Sequence, residues 1–270
     1  MSDNERYEFE VGEDGLDYEI LDRFYNSYTQ HLILKNGLKS GMQVLDVGSG
    51  AGVMTTWLAS QVGSEGHVVA VDNSENQLQL VKNRAQRLGL SNISYHVMSA
   101  YELEQLKAEF DVVYCRFLLH HLHSPRKAIK AYYDVLRKGG LYFGQEGIVS
   151  AAFAYPKTFA WHGYEPKLPA PESTVEGNER DGDFGMKLHY ECIKAGFSIK
   201  DCQLHQPLLW NKEQKKGLIT GLVAFKETEI SNGMSEEDWQ KKYDETIRMI
   251  EDDNQLIAFY DSCFVAAQKV

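Results

Sequence analysis

Strand-type and helix-type segments alternate regularly between residues 43 and 145, and this alternation restricts the fold more than any other feature. Gln43–Val47 is predicted to be a buried strand, and Val53–Val62 is predicted to be the helix that follows it. The same pattern continues with predicted strands at His67–Val71, Ile93–Val97, Phe110–Cys115 and Leu141–Gln145 and predicted helices at Glu75–Leu88 and Pro125–Arg137. Strands and helices alternating at this spacing predict a parallel sheet covered by helices on both faces.

The segments outside this alternation suggest a lid and two inserts. Residues 1–40 are predicted to form an N-terminal helical lid segment, and residues 41–270 a single domain with inserts at about 150–185 and 207–255. The first insert holds four of the six prolines, and a long Pro-rich, aromatic stretch is typical of a lid or binding loop. Later elements are predicted as helices over Met186–Ala195, Lys212–Thr228 and Ser235–Asp252 and strands over Ser198–His205 and Leu256–Gln268.

Charge and composition exclude several classes of function. The 270 residues include 28 Lys and Arg against 39 Asp and Glu, a formal net charge of −11. Such a surface repels phosphate backbones and anionic lipids, so we expect neither nucleic acid nor a membrane as partner. No apolar run reaches the ~20 residues of a membrane-spanning helix. Met1–Gly15 lacks the features of a signal peptide, and the four cysteines form no C-x-x-C pair, so a cytoplasmic protein without a metal site is expected.

A glycine-rich loop is predicted between the first strand and the first helix of the alternation. Gly48, Gly50 and Gly52 lie where an α/β sheet binds a ligand, beyond the carboxyl end of a strand. The dinucleotide pattern G-x-G-x-x-G requires glycine at the position of Val53, so the loop departs from it. Asp46, two residues before the first glycine, favours a cationic ligand over a pyrophosphate.

Asp72 ends the second predicted strand, 22 residues after Gly50. A carboxylate at this point can accept hydrogen bonds from both hydroxyls of an adenosine ribose. Enzymes that use NAD share this feature, so an NAD-dependent oxidoreductase is an alternative at this stage. Val53 and Asp46 count against that alternative.

Together these motifs resemble the class I S-adenosylmethionine-dependent methyltransferases. The resemblance covers residues 40–148 closely and the rest of the chain loosely, and Leu119-His120-His121-Leu122 is similar to the small-molecule and ubiquinone-type branch. It rests on Asp46-x-Gly48-x-Gly50-x-Gly52, Asp72, Phe110-Asp111-Val112-Val113 and Leu136-Arg137-Lys138-Gly139-Gly140, in that order. It implies a Rossmann-like α/β fold with a seven-stranded, mostly parallel sheet, the last strand antiparallel, and helical or loop inserts that form a substrate lid.

The resemblance also implies S-adenosyl-L-methionine as cofactor and S-adenosyl-L-homocysteine as product. The glycine loop would lie under the methionine part, Asp72 on the ribose, and Asn73 and the Ser99-Ala100 turn beside the adenine. Ser99 replaces an Asp that the family often has, so a weaker cofactor affinity or a substitute role for Glu102 is expected. The implied cofactor-binding residues are Asp46, Gly48, Ser49, Gly50, Gly52, Asp72, Asn73, Ser99, Ala100, Cys115, Arg116 and Tyr7.

Candidates for catalysis and substrate binding are less specific. His120 or His121 follows the fourth strand, close to the expected sulfonium, and an imidazole suits proton removal. Each histidine can instead be structural, and each aromatic side chain can be packing. The candidate catalytic residues are His120, His121, Glu146 and Tyr18, and the candidate substrate-binding residues are Trp161, His162 and Tyr164.

The resulting hypothesis is in-line methyl transfer to a small, partly apolar or aromatic molecule. Tyr114-Cys115-Arg116-Phe117 lacks the motif of amino-methylating nucleic-acid enzymes, and no set of acids resembles the magnesium site of catechol enzymes. The aromatic inserts favour a small planar substrate, although they could instead serve a homodimer interface. Two alternatives stay open. The chain could methylate a protein side chain, or it could bind the cofactor without catalysis and act as a partner protein.

Overall fold

A computed structural model describes residues 22–158, 160, 180–224, 226–231 and 233–270. These residues form ten strands and nine α-helices. The strands are β1 Gln43–Val47, β2 His67–Asp72, β3 Ile93–Val97, β4 Phe110–Arg116, β5 Leu136–Ile148, β6 Phe153–Tyr155, β7 Phe197–His205, β8 Leu208–Leu209, β9 Leu256–Ala258 and β10 Asp261–Lys269. The helices are α1 Ser27–Lys35, α2 Val53–Val62, α3 Glu75–Arg87, α4 Pro125–Val135, α5 Leu188–Lys194, α6 Lys212–Lys215, α7 Gly217–Ala224, α8 Lys226–Ser231 and α9 Glu236–Glu251.

Seven strands form the main sheet, in the order β3-β2-β1-β4-β5-β10-β7. The five strands from β3 to β5 pair in parallel, whereas β10 runs antiparallel to both of its neighbours, β5 and β7. The predicted fold class is therefore confirmed. The reversal of strand order beside β1 puts the turns after β1 and β4 next to each other, where ligands bind in open α/β sheets.

Helices cover both faces of the sheet, as the near-continuous apolar strands require. On one face, Val44, Val112 and Phe264 pack with side chains of α1, α2 and α3. On the other face, Val113 and Val265 pack with side chains of α4 and α5. No helix among the described residues is long and apolar enough to cross a membrane.

A second, three-stranded sheet with the order β6-β9-β8 was not predicted. Its inner side chains Ala154, Leu209 and Ile257 are buried with Tyr25 from the turn before α1, and Phe117 at the end of β4 packs against them. We call residues 149–160 and 206–260, which include this sheet and α6 to α9, the cap. The cap therefore lies over the carboxyl ends of the main strands. The division into a lid segment and a domain with inserts stays a prediction.

Several predicted boundaries were wrong. The segment Lys212–Thr228 forms three short helices instead of one, and the first break falls just before Gly217, a residue type that disfavours helix interiors. Leu256–Gln268 forms two strands in different sheets, because Phe259 leaves the ladder and its N–H bonds the carbonyl of Pro207 (2.9 Å). The fifth strand is longer than predicted and runs from Leu136 to Ile148, which puts Glu146 inside it.

Two helix starts follow from side-chain caps. Ser74 Oγ accepts the N–H of Gln77 (3.3 Å) at the start of α3, and Ser235 Oγ accepts the N–H of Asp238 (3.0 Å) at the start of α9. Such a cap satisfies one of the four N–H groups that a helix leaves unpaired. The predicted start at Ser235 is confirmed.

Candidate functional site

Four turns meet at the carboxyl edge of the main sheet. The glycine loop follows β1, and its Gly50 N–H donates to Asp72 Oδ2 (3.0 Å) at the end of β2. The turn after β3 joins them, because the N–H of Met98 donates to the carbonyl of Asp72 (2.9 Å). The turn after β4 touches the glycine loop through Leu118, which lies against Gly48. The residues predicted to bind one ligand are thus brought together.

The glycine loop adopts a backbone that other residues cannot take without strain. Gly48, Gly50 and Gly52 have φ values of 73°, 50° and 77°. A Cβ at Gly52 would lie 2.6 Å from Cγ1 of Val81 on α3, and a Cβ at Gly48 would lie 2.9 Å from Cδ2 of Leu118. The glycines therefore allow both the turn and the close packing of the loop on its neighbours.

Asp72 is buried and links two backbone segments. Its Oδ2 accepts from Gly50, and its Oδ1 accepts the N–H of Ser74 (3.0 Å). The carboxylate is thereby fixed between the glycine loop and the start of α3. Asn73, the next residue, is exposed.

Asp46 lies below the glycine loop, where it is buried and accepts a hydrogen bond from Thr55 Oγ1 (2.6 Å). Its pKa is raised to about 7, and burial is the main cause. The nearby charge of Asp72 adds to the rise, whereas the hydrogen bond from Thr55 and the charge of Arg116 oppose it. Its observed partner is thus a side chain of α2. Sequence reasoning missed Thr55, which has no distinguishing pattern in the helix.

Asp46→Asn is expected to gain stability relative to the wild type as the pH rises. The raised pKa means that the folded wild type binds a proton that the unfolded chain releases, so its stability falls between pH ~4 and ~7. An asparagine does not ionise. We expect the variant to be about 2–3 kcal/mol more stable, relative to the wild type, at pH 8 than at pH 5, from ~1.4 kcal/mol per pKa unit. Urea unfolding of both proteins measures this difference.

The control for this prediction is Asp253→Asn, because Asp253 is exposed. Its stability relative to the wild type should change little between the two pH values. A difference for Asp46→Asn that does not vary with pH would contradict the assignment of a buried, partly protonated carboxyl group.

Polar groups that a ligand could use lie around this edge. The Ser49 hydroxyl oxygen in the glycine loop is shielded from solvent and has no hydrogen-bond partner among the described residues. Ser99 Oγ, beyond β3, accepts the N–H of Tyr101 (3.3 Å), and Ala100 beside it is half-buried. An unpartnered hydroxyl next to three glycines fits a ligand with polar groups of its own.

The end of β4 combines a buried thiol, a cation and a strained residue. The Cys115 side chain points into the core, where its Sγ lies 3.6 Å from Tyr132 Oη, so only its backbone can face a ligand. Arg116 Nη1 donates to Asn26 Oδ1 (2.6 Å) in the π-helical turn before α1. Phe117 has a φ of 53°, a left-handed conformation that costs a non-glycine residue ~1–2 kcal/mol. Such strain is concentrated at functional sites.

The candidate catalytic residue Glu146 has a fully buried carboxylate. Its Oε1 accepts the N–H groups of Leu118 (3.1 Å) and Leu119 (2.9 Å), and its Oε2 lies 2.6 Å from Nδ1 of His120. The carboxylate therefore holds the turn after β4, and the catalytic role of Glu146 stays a prediction. Burial lowers the pKa of His121 well below its ordinary value, and the charges of His120 and Arg180 lower it further.

Helix α1 and the turn before it are tied to strands β5 and β10 by a buried network. Thr29 Oγ1 of α1 donates to Gln145 Oε1 (2.6 Å), and Gln145 Nε2 donates to Ser262 Oγ (2.9 Å) on β10. Tyr25 is buried, and Tyr28 stacks on His205 (4.3 Å between ring centroids). Sequence reasoning missed this network. Its one visible sign is a glutamine at the end of an otherwise apolar strand.

Five predicted site residues lie outside the described part of the chain: Tyr7, Tyr18, Trp161, His162 and Tyr164. Their roles stay predictions. Within the described ranges, no group of three His, Cys, Asp or Glu side chains is arranged to hold a metal ion.

Comparison with known proteins identifies the region that carries this site. A sequence profile described as a methyltransferase domain matches residues 38–160. These residues are similar to a methyltransferase domain. They include the motifs that resemble the class I S-adenosylmethionine-dependent type. The ubiquinone/menaquinone biosynthesis C-methyltransferase UbiE of Hydrogenovibrio crunogenus is 32% identical over 114 residues, which are 42% of this chain and 45% of UbiE. The chain thus matches less than half of that relative's length.

Solved structures support the fold over most of the chain's length. BH2331 of Bacillus halodurans C-125 has a TM-score of 0.59 at 19% identity, covering 90% of this chain and 99% of that protein. The [4+2]-cyclase SpnF has a TM-score of 0.58 at 17% identity, covering 90% and 80%. At such identities the likeness concerns the fold alone. Because a cyclase is among these structures, the reaction has to be inferred from the site.

Proposed function

We propose that this protein transfers the methyl group of S-adenosylmethionine to a small, partly apolar or aromatic molecule. The observation that carries the proposal is the Asp72 carboxylate, which is buried at the end of β2 and accepts the N–H groups of Gly50 and Ser74, so that it lies directly beside the glycine loop. This arrangement suits a ribose with two hydroxyls. The match of residues 38–160 to a methyltransferase domain supports the same cofactor.

The cofactor, when bound, supplies a methyl group on a positively charged sulfur. Around it, the glycine loop would receive the methionine part, with the Ser49 hydroxyl as a hydrogen-bonding group. Asn73, Ser99 and Ala100 would border the adenine, and the backbone at Cys115 and Arg116 would border the methionine end. Tyr7 would belong to the lid. The buried carboxyl group of Asp46 would contribute to cofactor binding indirectly, through the glycine loop above it.

The chain's main contribution to the reaction would be positioning. Charge is dispersed when a cationic methyl donor meets a neutral acceptor, so little additional charge stabilisation is required. Correct alignment of two reactants can contribute ~7–11 kcal/mol. The cap, with Phe259 in its core and Phe24 and Phe117 packed against that core, would hold the acceptor and exclude water. Trp161, His162 and Tyr164 would add further contacts to the acceptor.

Calorimetric titration with S-adenosylhomocysteine, with NADH as control, tests the proposal. We expect saturable one-to-one binding of S-adenosylhomocysteine and no binding of NADH. Methyl transfer from labelled S-adenosylmethionine to a panel of phenols, amines and quinols should then give a labelled small product. Binding of NADH alone would refute the proposed cofactor. Labelling of added protein instead would indicate a protein side-chain methyltransferase, and binding without any labelling would indicate a non-catalytic partner protein.

A further inference from the structure

His120 and Glu146 form a hydrogen-bonded pair that could transfer a proton. The positioning of two reactants does not require such a pair. Glu146 lies in β5, without solvent contact, and its Oε2 is 2.6 Å from Nδ1 of His120. The same carboxylate accepts the backbone N–H groups of Leu118 and Leu119. Since the carboxylate faces N–H donors on both oxygens, it acts as an acceptor throughout. The proton between the two groups is therefore assigned to Nδ1, and Nε2 is the ring nitrogen that stays open to a ligand.

The second ring nitrogen of His120 is available to a ligand. Its side chain is 16% exposed, while its carboxylate partner is 0% exposed. Among the described residues, no hydrogen bond to Nε2 is found, and the ring packs against the rings of Phe117 (6.3 Å between centroids) and His121 (3.8 Å). Asp181 is the other charged group beside His120, and its N–H donates to the His120 carbonyl (3.2 Å). A histidine fixed at one nitrogen and open at the other is the usual arrangement of an imidazole that exchanges a proton.

His120 lies where its ring could contact the methyl acceptor. Its turn touches the glycine loop, because Leu118 packs against Gly48. On its other side, the Phe117 ring meets Tyr25 (5.1 Å between centroids), which belongs to the core of the cap. The imidazole thus lies between the loop that would hold the cofactor and the cap that would hold the acceptor.

We infer that His120, oriented by Glu146, is the base for an acceptor that carries a proton on its nucleophilic oxygen or nitrogen. This inference rests on the proposed function. His120 Nε2 takes the proton of the acceptor as the acceptor's lone pair forms the bond to the methyl carbon. The electrons of the carbon–sulfur bond stay on sulfur, and the positive charge passes from sulfur to the imidazolium. Glu146 is a positioning residue, and its negative charge stabilises that imidazolium.

This role selects a substrate class. A hydroxyl, such as a phenol, loses its proton to the base as it is methylated. A protonated amine has to lose a proton to the base first, because only then does its nitrogen have a lone pair that can attack the methyl group. A sulfide needs no base, so it would gain nothing from the pair. His121 is the weaker candidate, because its lowered pKa makes it a poor proton acceptor at neutral pH.

Nitrogen-15 spectroscopy of the histidine rings tests the tautomer without requiring turnover. In the complex with S-adenosylhomocysteine, we expect His120 to carry its proton on Nδ1 and to leave Nε2 unprotonated. Glu146→Gln should reverse this tautomer, because an amide nitrogen facing Nδ1 donates instead of accepting. Exposed His96 serves as the reference ring and should not change. A proton on Nε2 in the wild-type complex would overturn the assignment.

Small probes test whether Nε2 faces an acceptor. Phenol and butylammonium carry the proton in question, and anisole is the matched probe without it. We expect phenol or butylammonium to shift the Nε2 resonance of the complex with S-adenosylhomocysteine, and anisole to leave it unchanged. The two proton-bearing probes distinguish an oxygen acceptor from a nitrogen acceptor. If neither shifts Nε2 although S-adenosylhomocysteine is bound, the inference is wrong while the proposed cofactor stands.

Substitution of His120 separates this inference from the proposed function. His120→Gln should bind S-adenosylhomocysteine as tightly as the wild type, and its kcat with whichever panel acceptor is methylated should fall by ~10²–10⁴-fold, the usual contribution of a general base. His96→Asn is the control and should keep full turnover. Equal kcat values for His120→Gln and the wild type would refute the base. Failure of the wild type to bind S-adenosylhomocysteine would instead refute the proposed function.

Discussion

Asp72→Ala is expected to lower the affinity for S-adenosylhomocysteine by about 100-fold or more. The proposed contact is a pair of hydrogen bonds from the ribose hydroxyls to the carboxylate, and a bond to a charged group contributes ~1.5–3 kcal/mol. Two such bonds correspond to at least ~3 kcal/mol, or about two orders of magnitude in Kd. The change also removes the acceptor of the Gly50 and Ser74 N–H groups, so the loop loses its tie to β2. Calorimetric titration of the two proteins gives the ratio of Kd values.

A nearby acid provides the control for this experiment. Glu75 is exposed in the first turn of α3, three residues after Asp72. Glu75→Ala removes the same charge from the same region and should change the Kd by less than about twofold, since exposed charges are strongly screened. Asp72→Asn keeps one acceptor oxygen and should give an intermediate affinity if the alanine variant does not fold. Wild-type affinity in both Asp72 variants would show that the ribose lies elsewhere.

The elements that sequence reasoning predicted are those with local patterns. Strand β1, the glycine loop and helix α2 follow one another within 20 residues, and each is marked by its own residue types. Short-range periodicity and glycine spacing report such structure directly. The same holds for Asp72, whose position at the end of an apolar strand is visible in the sequence.

The elements that were missed depend on distant pairing. In the small sheet, Phe153 pairs with Ala258 more than 100 residues away, and none of its three strands is longer than three residues. Such short segments carry too few residues for an alternation to be recognised. Their strand conformation is set by burial against Tyr25 and Phe117, which come from other parts of the chain.

The role of Glu146 was missed for a related reason. The sequence shows an acid after an apolar strand, and that pattern is common to solvated and buried carboxylates. Its burial depends on backbone N–H groups of Leu118 and Leu119, almost 30 residues earlier, which satisfy the charge inside the protein. Nothing in the residues around Glu146 indicates that these donors are available.

The glycine loop gives the second large effect, because Gly52→Ala should destabilise the fold by about 3 kcal/mol. The left-handed backbone contributes ~1–2 kcal/mol of this cost. The rest comes from overpacking, since a Cβ would lie 2.6 Å from Val81 Cγ1, and forced packing costs ~1–3 kcal/mol. Urea unfolding measures the change. The loop should also shift away from α3, so the affinity for S-adenosylhomocysteine should fall as well.

Two further variants separate the backbone term from the packing term. Gly89 has a similar φ of 67°, and no atom lies within 4 Å of the position that a Cβ would take there, so Gly89→Ala should cost only the backbone term of ~1–2 kcal/mol. Val81→Ala in the Gly52→Ala background should recover the packing term, which a double-mutant cycle measures as a coupling energy. If Gly52→Ala costs no more than Gly89→Ala, the loop can move off Val81 freely. In that case contact with α3 does not hold the glycine loop in place, and its geometry depends on the bond from Gly50 to Asp72 instead.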